Sequence, residues 1–308
     1  MKISQKRVNF VNIQQQHAIA AVGYHQPMIR TGYETVVAQR ASEIFAVTAK
    51  QPGVVRKITS VGVIVDYADG STGGYSIGRA FGNAQGLTVA HEIITPLVEG
   101  EHFELGAAIV YNTGFFEPDF FNPKQLVWKN SLNAKTVLWE STQTHEDSSV
   151  ISAKLSEKLS TKVTKVKTIV VNFDQAISDL VKVGDYVTAD TVLCIIEDAV
   201  TANSNLFNEQ SRHTLRAISA QAPKAHVKGK VEKIEVFYNG DKEEMSETLL
   251  TITNQADKLL KQRAASVAKE YYSGKVDGGF RIENNGLTLD QLAIRIYITS
   301  DVGAGLGD

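Results

Sequence analysis

Residues 52–70 read PGVVRKITSVGVIVDYADG and place two runs of valine and isoleucine between turn-forming residues. β-Branched residues are frequent in strands, whereas Gly, Asp and Asn mark the turns between strands. The same pattern returns in residues 91–114 (HEIITPLVEGEHFELGAAIVYNTG) and residues 127–143 (VWKNSLNAKTVLWESTQ). The sequence therefore predicts a mainly β protein, which residues 292–299 (LAIRIYIT) continue near the end of the chain.

One long segment departs from the β pattern, apart from a helix-like opening segment. Residues 241–272 carry apolar side chains at steps of three and four, which is the spacing of an amphipathic helix. The apolar positions are Met245, Leu249, Ile252, Ala256, Leu259, Leu260, Ala264, Val267 and Tyr271. The dipeptide Ser273-Gly274 is a stop signal for a helix. We therefore predict a helix over 241–272 and expect it to be an outlying element on a β base.

The composition is that of an ordinary globular protein. The chain has 308 residues, of which 43% are hydrophobic and 21% charged, and its formal net charge is -2. This length allows about two domains with a sizeable core. A near-neutral charge gives no support to a freestanding nucleic-acid binder, which is usually basic overall, but it allows a local basic surface inside a larger assembly.

Cysteine content and hydropathy indicate an intracellular protein. Cys194 is the single cysteine, and it lies in the apolar run VLCII, so we expect an inert thiol in the core and no intrachain disulfide. The opening stretch MKISQKRVNFVNIQQQ lacks the apolar region of a signal peptide. No later stretch approaches about 18 consecutive apolar residues, so we expect no membrane partner. The seven histidines show no HExxH or paired metal spacing, and we expect no zinc site.

Two adjacent acids, Glu146 and Asp147, precede an apolar run in the stretch THEDSSVISAKL, residues 144–155. In a strand, neighbouring side chains point to opposite faces, so the two acids cannot both be buried against one core. One interpretation is a solvated turn, because Asp and Ser are frequent in turns. The other is a site for a divalent cation, or for a nucleotide held by one, since hard cations prefer carboxylate oxygens. The pair alone leaves both interpretations open.

A weak internal repeat is visible in the sequence. Residues 53–58 (GVVRKI) are similar to residues 229–234 (GKVEKI), and residues 97–110 (LVEGEHFELGAAIV) are similar to residues 180–193 (LVKVGDYVTADTVL). The longer copies each predict a strand, a tight turn and a second strand. Such units occur in barrel-sandwich hybrid folds, including biotinyl and lipoyl carriers. Neither copy presents the MKM or DKA tip that carries the modified lysine, which disfavours a carrier.

Eight segments in order resemble the middle part of the β subunit of multisubunit DNA-dependent RNA polymerase. They are NIQQQHAI (12–19), RTGYE (30–34), QPGVVRKI (51–58), residues 81–110, HEDSSVISAKL (145–155), VGDYVTADTVL (183–193), HVKGKVEKIEVFYNGD (226–241) and IRIYITSDVGAGLGD (294–308). No single motif is specific, so the resemblance rests on their order along nearly the whole chain. The family has Gly-Tyr-Asn and an arginine where this sequence has Thr142-Gln143-Thr144 and Gln15. These departures, and an end just before the family's active-site lysine, suggest a split subunit of the kind that large bacteriophages encode.

The resemblance implies a mainly β fold with α, built of β-subunit-like barrel and barrel-sandwich hybrid elements. An inserted flap would carry the long helix. The implied parts are a hybrid-binding, barrel-like core at 1–163, a flap-like domain at 164–291 and a strand at 292–308 that returns to the core. In the family, the flap covers the RNA exit path and offers a docking surface to initiation factors.

The resemblance also implies an activity, that of a DNA-directed RNA polymerase acting by a two-metal route. Mg²⁺ would be held mainly by a β-prime-like partner, so this chain would be inactive alone. Glu146 and Asp147 would act as the catalytic pair beside the second metal and the incoming nucleoside triphosphate. The implied nucleic-acid contacts are Asn12, Gln14, Gln16, Arg79 and Lys135, and Asp308 would lie near the active site. For Arg79 and Lys135, an ordinary surface charge is the other interpretation.

The implied partners are β-prime-like subunits, the remaining β fragments, an initiation factor at the flap, the DNA template, RNA and nucleoside triphosphates. A viral enzyme of this kind would work in the host cytoplasm or in the virion. Two other classes stay open. A non-catalytic assembly or binding protein that keeps the fold predicts association without dependence on Glu146 or Asp147. A barrel-sandwich carrier predicts a covalent adduct on one lysine.

Overall fold

The computed structural model describes residues 20–84, 87–138, 142, 149–198, 221–282 and 285–304. The protein is mainly β, with 39% of residues in strands and 15% in helices, so the predicted fold class is confirmed at this level. The helices of the described ranges are α1 (Tyr33–Arg40), α2 (Ala153–Lys158) and α3 (Glu247–Ser266), and a 3-10 turn at Lys242–Glu244 precedes α3. None of these helices is long and apolar enough to cross a membrane.

The strands agree with the predicted β segments at 52–70 and 91–114, but the prediction for 127–143 is wrong over its described part, where only Val127 and Trp128 belong to a strand. In the first half of the chain they are β1 (Ala46–Thr48), β2 (Gly53–Ile58), β3 (Gly62–Tyr67), β4 (Thr72–Ser76), β5 (Gly78–Ala84), β6 (Leu87–Ile94), β7 (His102–Phe103), β8 (Ala108–Asn112), β9 (Phe116–Pro118) and β10 (Leu126–Trp128). In the second half they are β11 (Thr161–Asn172), β12 (Ala176–Ser178), β13 (Tyr186–Val187), β14 (Ile195–Glu197), β15 (Gly229–Asn239), β16 (Arg281–Ile282), β17 (Asn285–Gly286) and β18 (Gln291–Val302).

One eight-stranded sheet organises the fold. Its order is β1-β8-β6-β11-β18-β15-β13, with β5 paired to β6, and a four-stranded sheet has the order β4-β3-β2-β7. The strand β18 is antiparallel to both neighbours, and it pairs with β11 over its whole length and with β15 from Gln291 to Thr299. Consecutive residues of β18 from Leu292 to Ile298 are almost all buried, and because their side chains alternate between the two faces, both faces of the strand are covered there. This burial explains the apolar run seen in the sequence, in which Arg295 is the one charged residue.

The predicted boundary at residues 163 and 164 falls inside the strand β11. This strand pairs with β6 from the predicted core and with β18 from the predicted returning strand. The strand β18 pairs in turn with β15 from the predicted flap-like part. The parts named in the sequence are therefore joined by one hydrogen-bonded sheet, and their separation into domains stays a prediction.

The helix α3 forms where the apolar spacing predicted it, but it ends earlier than predicted. It closes at Ser266 because Ala268 turns left-handed, with φ of 50°, and Lys269 N–H donates to Ala264 O at 3.0 Å. The predicted stop at Gly274 is wrong. A Cβ at that residue would lie 2.4 Å from Val236 O, so the glycine allows the chain to approach β15 instead.

The expectation that this helix is an outlying element is also wrong. The side chains of Leu249, Thr253 and Asp257 are buried on one face of α3. Leu249 belongs to a core cluster that also contains side chains of β11, β15 and β18. Asp257 accepts hydrogen bonds from Lys242 Nζ at 2.6 Å and from the backbone N–H of Gly274 at 2.9 Å. The helix is therefore part of the core of this region.

The weak repeat in the sequence is matched by equivalent strand pairing. The paired residues are Gly53 with Phe103 and Val54 with His102 in the first copy, and Gly229 with Val187 and Lys230 with Tyr186 in the second. The register shifts between Val55 and Lys57 in the first copy, and between Val231 and Lys233 in the second. The repeat is therefore one of backbone structure as well as of sequence.

The first glycine of each copy makes the same close approach. A Cβ at Gly53 would lie 2.5 Å from Asp66 O, and a Cβ at Gly229 would lie 2.5 Å from Thr299 O. Both carbonyls belong to the neighbouring strand, β3 or β18, that pairs with the glycine-bearing strand. Glycine is therefore required at this point in each copy because a side chain would collide with backbone.

Candidate functional site

Most of the predicted site residues lie outside the described residues. These are Asn12, Gln14, Gln16, Glu146, Asp147 and Asp308. Arg79 and Lys135 are described. The structure therefore bears on the predicted site through these two residues and through the chain segments that lead to the other six.

The short helix α2 is the first described element after the two acids. Ser152 lies five residues after Asp147 and caps this helix, because its Oγ accepts a hydrogen bond from Leu155 N–H at 3.2 Å. Ser156 lies one helical turn after Ser152, and its Oγ donates a hydrogen bond to Ala304 O at 2.6 Å. Ala304 lies four residues before Asp308, so two segments that lead to predicted site residues meet on α2.

The segment that follows the predicted amide contacts reaches the same helix. Gly23 N–H donates to Lys158 O at 2.7 Å. A Cβ at Gly23 would lie 2.6 Å from the Cβ of Lys158, so the absence of a side chain allows this approach. Thr161 Oγ1 donates to Ala20 O at 2.6 Å, and Ala20 lies four residues after Gln16. Three segments that are far apart in the sequence thus converge on α2 and the start of β11.

Arg79, which was predicted to contact phosphate, lies on β5 between two carboxylates. Its Nη1 is 3.1 Å from Glu92 Oε2, and its Nε is 3.2 Å from Glu232 Oε2. Glu232 Oε2 also accepts a hydrogen bond from Thr299 Oγ1 at 3.0 Å. A phosphate at Arg79 would therefore compete with two acids that already balance its charge.

Lys135 is exposed and lies in residues 132–138, which form neither helix nor strand. Among the described residues, no carboxylate lies within ion-pair distance of its Nζ. No described contact joins Lys135 to Arg79. The role of both cations in nucleic-acid contact stays a prediction.

A mixed ionic cluster lies on β15 and β18 near Arg79. Glu235 Oε2 accepts a hydrogen bond from Tyr297 Oη at 2.6 Å, and Glu235 also pairs with Lys233 and with Arg295 Nη1, the latter at 3.6 Å. Burial raises the pKa of Glu235, but hydrogen bonds and charges from these three neighbours outweigh burial and lower it overall. The carboxylate is therefore ionised at neutral pH and fixes the two cations on the sheet.

His91 and Cys194 are buried groups of the core. The amide of Asn112 donates to His91 Nδ1 at 2.7 Å, and burial together with the charge of Arg79 lowers the pKa of His91. The Cys194 side chain is fully buried, which raises the pKa of its thiol to about 11, so the prediction of a core thiol is confirmed. In the part of the chain that the structure describes, no group of three or more His, Cys, Asp or Glu side chains could hold a metal ion.

Sequence reasoning missed a set of lysines at one end of the large sheet. Lys162, Lys165, Lys228 and Lys230 line one groove there. Lys230 lies on β15 and Lys228 comes just before this strand, so their closeness in the sequence was the available signal. The lysines of β11 approach them only through the register of β11, β18 and β15, which places Lys162 on the face of Lys230 and Lys165 on the opposite face.

The groove and the convergence on α2 adjoin each other, because Lys162 and Asp301 form an ion pair of 3.1 Å just beyond the residues that contact α2. The arrangement brings positive charge next to the chain segments that lead to the predicted acids and amides. A scan against protein-family models and a search of curated proteins found no match for this chain.

Proposed function

We propose that the chain is part of the β subunit of a multisubunit DNA-directed RNA polymerase, split between chains as in large bacteriophages. In this role it positions the incoming nucleotide and contacts the RNA:DNA hybrid. The support from the sequence is the order of the eight segments. The support that carries the proposal is the convergence on α2 of three segments, which lead to the amides at 12–16, to Glu146 and Asp147, and to Asp308.

Nucleotide addition requires this kind of convergence. The groups that hold the hybrid, the acids near the nucleotide and the residues that precede the active-site lysine must all act on one set of reacting atoms. In this chain they are separated by more than a hundred residues, so only the fold can bring them together. The hydrogen bonds of Gly23, Thr161 and Ser156 join the flanking segments at one place.

The chemistry of the proposed site can be divided between this chain and its partners. Glu146 and Asp147 offer carboxylate oxygens, which fit Mg²⁺ in type but are too few to hold it alone, so a β-prime-like subunit would hold the metal. When bound, Mg²⁺ stabilises the attacking and leaving oxygens. The two acids would position the nucleotide through their charge, and the amides of Asn12, Gln14 and Gln16 would contact phosphates and sugars of the hybrid.

The finer architecture belongs to the same proposal. The two repeats, with their equivalent pairing and register shifts, would supply barrel and barrel-sandwich hybrid elements. The region 164–291 would correspond to the flap, with α3 packed on its β base. In this position it would border the RNA exit path and offer a surface to an initiation factor.

The test is a charge-neutral replacement in the complex reconstituted with its partner chains. Glu146→Gln with Asp147→Asn preserves shape and removes two negative charges. We expect RNA synthesis to slow by about tenfold, which corresponds to about 1.4 kcal/mol of lost transition-state stabilisation, and the apparent requirement for nucleotide or Mg²⁺ to rise. Assembly and thermal stability should hardly change, and the isolated chain should make no RNA.

A matched control is Glu104→Gln with Asp174→Asn, which makes the same chemical change at two exposed acids. The control should keep full activity. Equal kinetics of the two double variants across a magnesium and nucleotide titration would contradict the assigned role and return the first pair to a solvated turn. If the Glu146 and Asp147 variant has unchanged kinetics and also assembles normally with its partner chains, the result would favour the non-catalytic binding role.

A further inference from the structure

The lysine groove is a cavity of about 680 Å³ at one end of β11, β15 and β18, beside the edge strand β13. Its charged lining residues are Lys162, Lys165, Lys228, Lys230, Glu232 and Asp301. Four cations thus face two acids, although the whole chain has a formal net charge of -2. Positive charge is concentrated in this groove, and such a concentration attracts anions.

The two acids of the groove are already paired, and three of its lysines are not. Asp301 is bound to Lys162, and Glu232 is bound to Arg79 at 3.2 Å. Lys165, Lys228 and Lys230 are exposed, and no carboxylate of the described ranges lies within ion-pair distance of them. Thr164 and Lys230 are both paired with Thr299 and so share one face of the sheet, whereas Lys165 lies on the opposite face. On the side of Tyr186 and Lys230, the groove therefore presents the ammonium groups of Lys228 and Lys230, which are uncompensated among the described residues, to a ligand.

An aromatic ring stands beside these lysines. Tyr186 lies on the edge strand β13 opposite Lys230, and 63% of it is exposed. Among the described side chains, no aromatic ring or cation stacks on Tyr186. Its ring can therefore accept a flat group from a ligand that enters the groove.

The internal repeat shows that these side chains are not required by the fold. The first copy has the same backbone pairing, yet it carries His102 where the second copy has Tyr186, and Val54 where the second copy has Lys230. A lysine and an exposed tyrosine are therefore additions to a common backbone unit. Their combination in one copy points to a ligand of that copy.

The positive surface continues beyond the groove. The ion pair of Arg79 and Glu232 joins it to a second cavity of about 390 Å³, because each cavity is lined by one member of the pair. The lining of this second cavity includes Arg79 and Lys233, whose charges are balanced in the ion pairs described above. Its further charged lining residues are Arg263, Lys269 and Glu270, so two cations outnumber one acid there. The combined surface suits an extended polyanion better than a single small anion.

We propose that the lysine groove binds the sugar-phosphate backbone of a single-stranded nucleic acid. Lys228 and Lys230 contact successive phosphates, and Tyr186 stacks on an unpaired base. A positively charged groove combined with an aromatic stacking surface is the chemistry by which proteins hold single strands without sequence preference. The choice of nucleic acid among polyanions rests on the proposed function, whereas the anionic and flat character of the ligand follows from the groove itself.

The experiment measures fluorescence anisotropy of labelled oligothymidine and oligouridine with the complete isolated chain. The test variant is Lys228→Gln and Lys230→Gln together. The control variant is Lys57→Gln and Lys124→Gln, which makes the same charge change at exposed lysines outside the groove.

We expect the test variant to bind about 10- to 100-fold more weakly at moderate salt, and the control variant to bind nearly as the unchanged chain does. The slope of log affinity against log salt should become shallower by about 1.4, because two phosphate contacts contribute about 0.7 each for a single strand. Circular dichroism of both variants should match that of the unchanged chain, since all four lysines are exposed.

A second pair of variants separates stacking from charge. Tyr186→Ala should weaken binding by about five- to tenfold with an unchanged salt slope, and Tyr186→Phe should restore it, because stacking needs the ring and not the hydroxyl. Polyglutamate of equal charge should compete poorly. A duplex should also bind more weakly than a single strand, since its bases are not free to stack.

Three results would overturn the proposal: equal losses in the test and control variants, equal binding of polyglutamate, or no binding of any single strand by the unchanged chain. None of these decides the proposed function, because the assay needs neither partner chains nor the two acids. Conversely, intact groove binding with unaltered kinetics of the Glu146 and Asp147 variant would leave a nucleic-acid-binding chain without the proposed role in nucleotide addition.

Discussion

Truncation of Leu249 to alanine tests whether α3 belongs to the core. Leu249 is 0% exposed and packs in the cluster that contains side chains of β11, β15 and β18. Replacing a fully buried leucine removes its transfer free energy and leaves a cavity, which costs about 2 to 5 kcal/mol. Because its neighbours lie on hydrogen-bonded strands that cannot easily collapse, we expect Leu249→Ala to lower the free energy of unfolding by about 3 to 4 kcal/mol.

The control is the same substitution in the same helix. Leu259 is 63% exposed, so Leu259→Ala should change the free energy of unfolding by less than about 0.5 kcal/mol. Both substitutions replace leucine with alanine in the same helix, so they change helix propensity equally. The difference between their effects on the free energy of unfolding therefore reports burial alone. The assay is urea unfolding followed by circular dichroism. Equal, small effects of the two substitutions would refute the packing of α3 on the sheet and would restore the expectation of an outlying helix.

Three further predictions concern other parts of the core. Gly229→Ala should destabilise the fold by more than about 1 kcal/mol in urea unfolding, because its Cβ would lie 2.5 Å from Thr299 O, whereas Gly279→Ala, with no atom within 4 Å, should not. The pKa of His91 is lowered from its ordinary value of 6.5 in the folded chain, so the unfolded chain binds a proton more readily as pH falls below that value. The free energy of unfolding should therefore decline below about pH 6.5, and it should decline less in His91→Gln. The thiol of Cys194, with a pKa of about 11, should react with Ellman's reagent only after denaturation.

Local patterns predicted the elements of the fold well. The run LAIRIYIT became the central strand β18, because a segment that is apolar except for Arg295 suits a strand that is covered on both faces. Apolar residues at steps of three and four predicted α3, because this spacing places them on one face of a helix that packs on the core. The internal repeat was visible because a turn glycine and its flanking apolar residues are needed for the same pairing in both copies.

The end of α3 was predicted wrongly because a glycine can either end a helix or allow two backbone segments to approach closely. Gly274 resembles a helix stop, yet it is needed for close approach to β15. The true end depends on Ala268, which adopts a left-handed conformation without the usual glycine or asparagine. The domain boundary was placed inside β11 because segment similarity does not reveal which strands share a sheet.

The site could be predicted only in part because its geometry depends on long-range register. The two carboxylates beside Arg79 lie 13 and 153 residues away in the sequence. Pairing with β18 brings Lys162 to the same face of the sheet as Lys230, which no local pattern encodes. Residue types thus indicated the kind of chemistry, and the sheet decided which side chains meet.

Purification of the native complex through a tag on this chain is the most direct test of a polymerase role. The measurement is DNA-dependent incorporation of labelled nucleotide by the purified complex, with the sequences of its stoichiometric partners. We predict template-dependent RNA synthesis, together with one partner that begins with a GDK-type lysine motif and another that carries NADFDGD. A stoichiometric complex without those motifs and without template-dependent incorporation would contradict the proposed function.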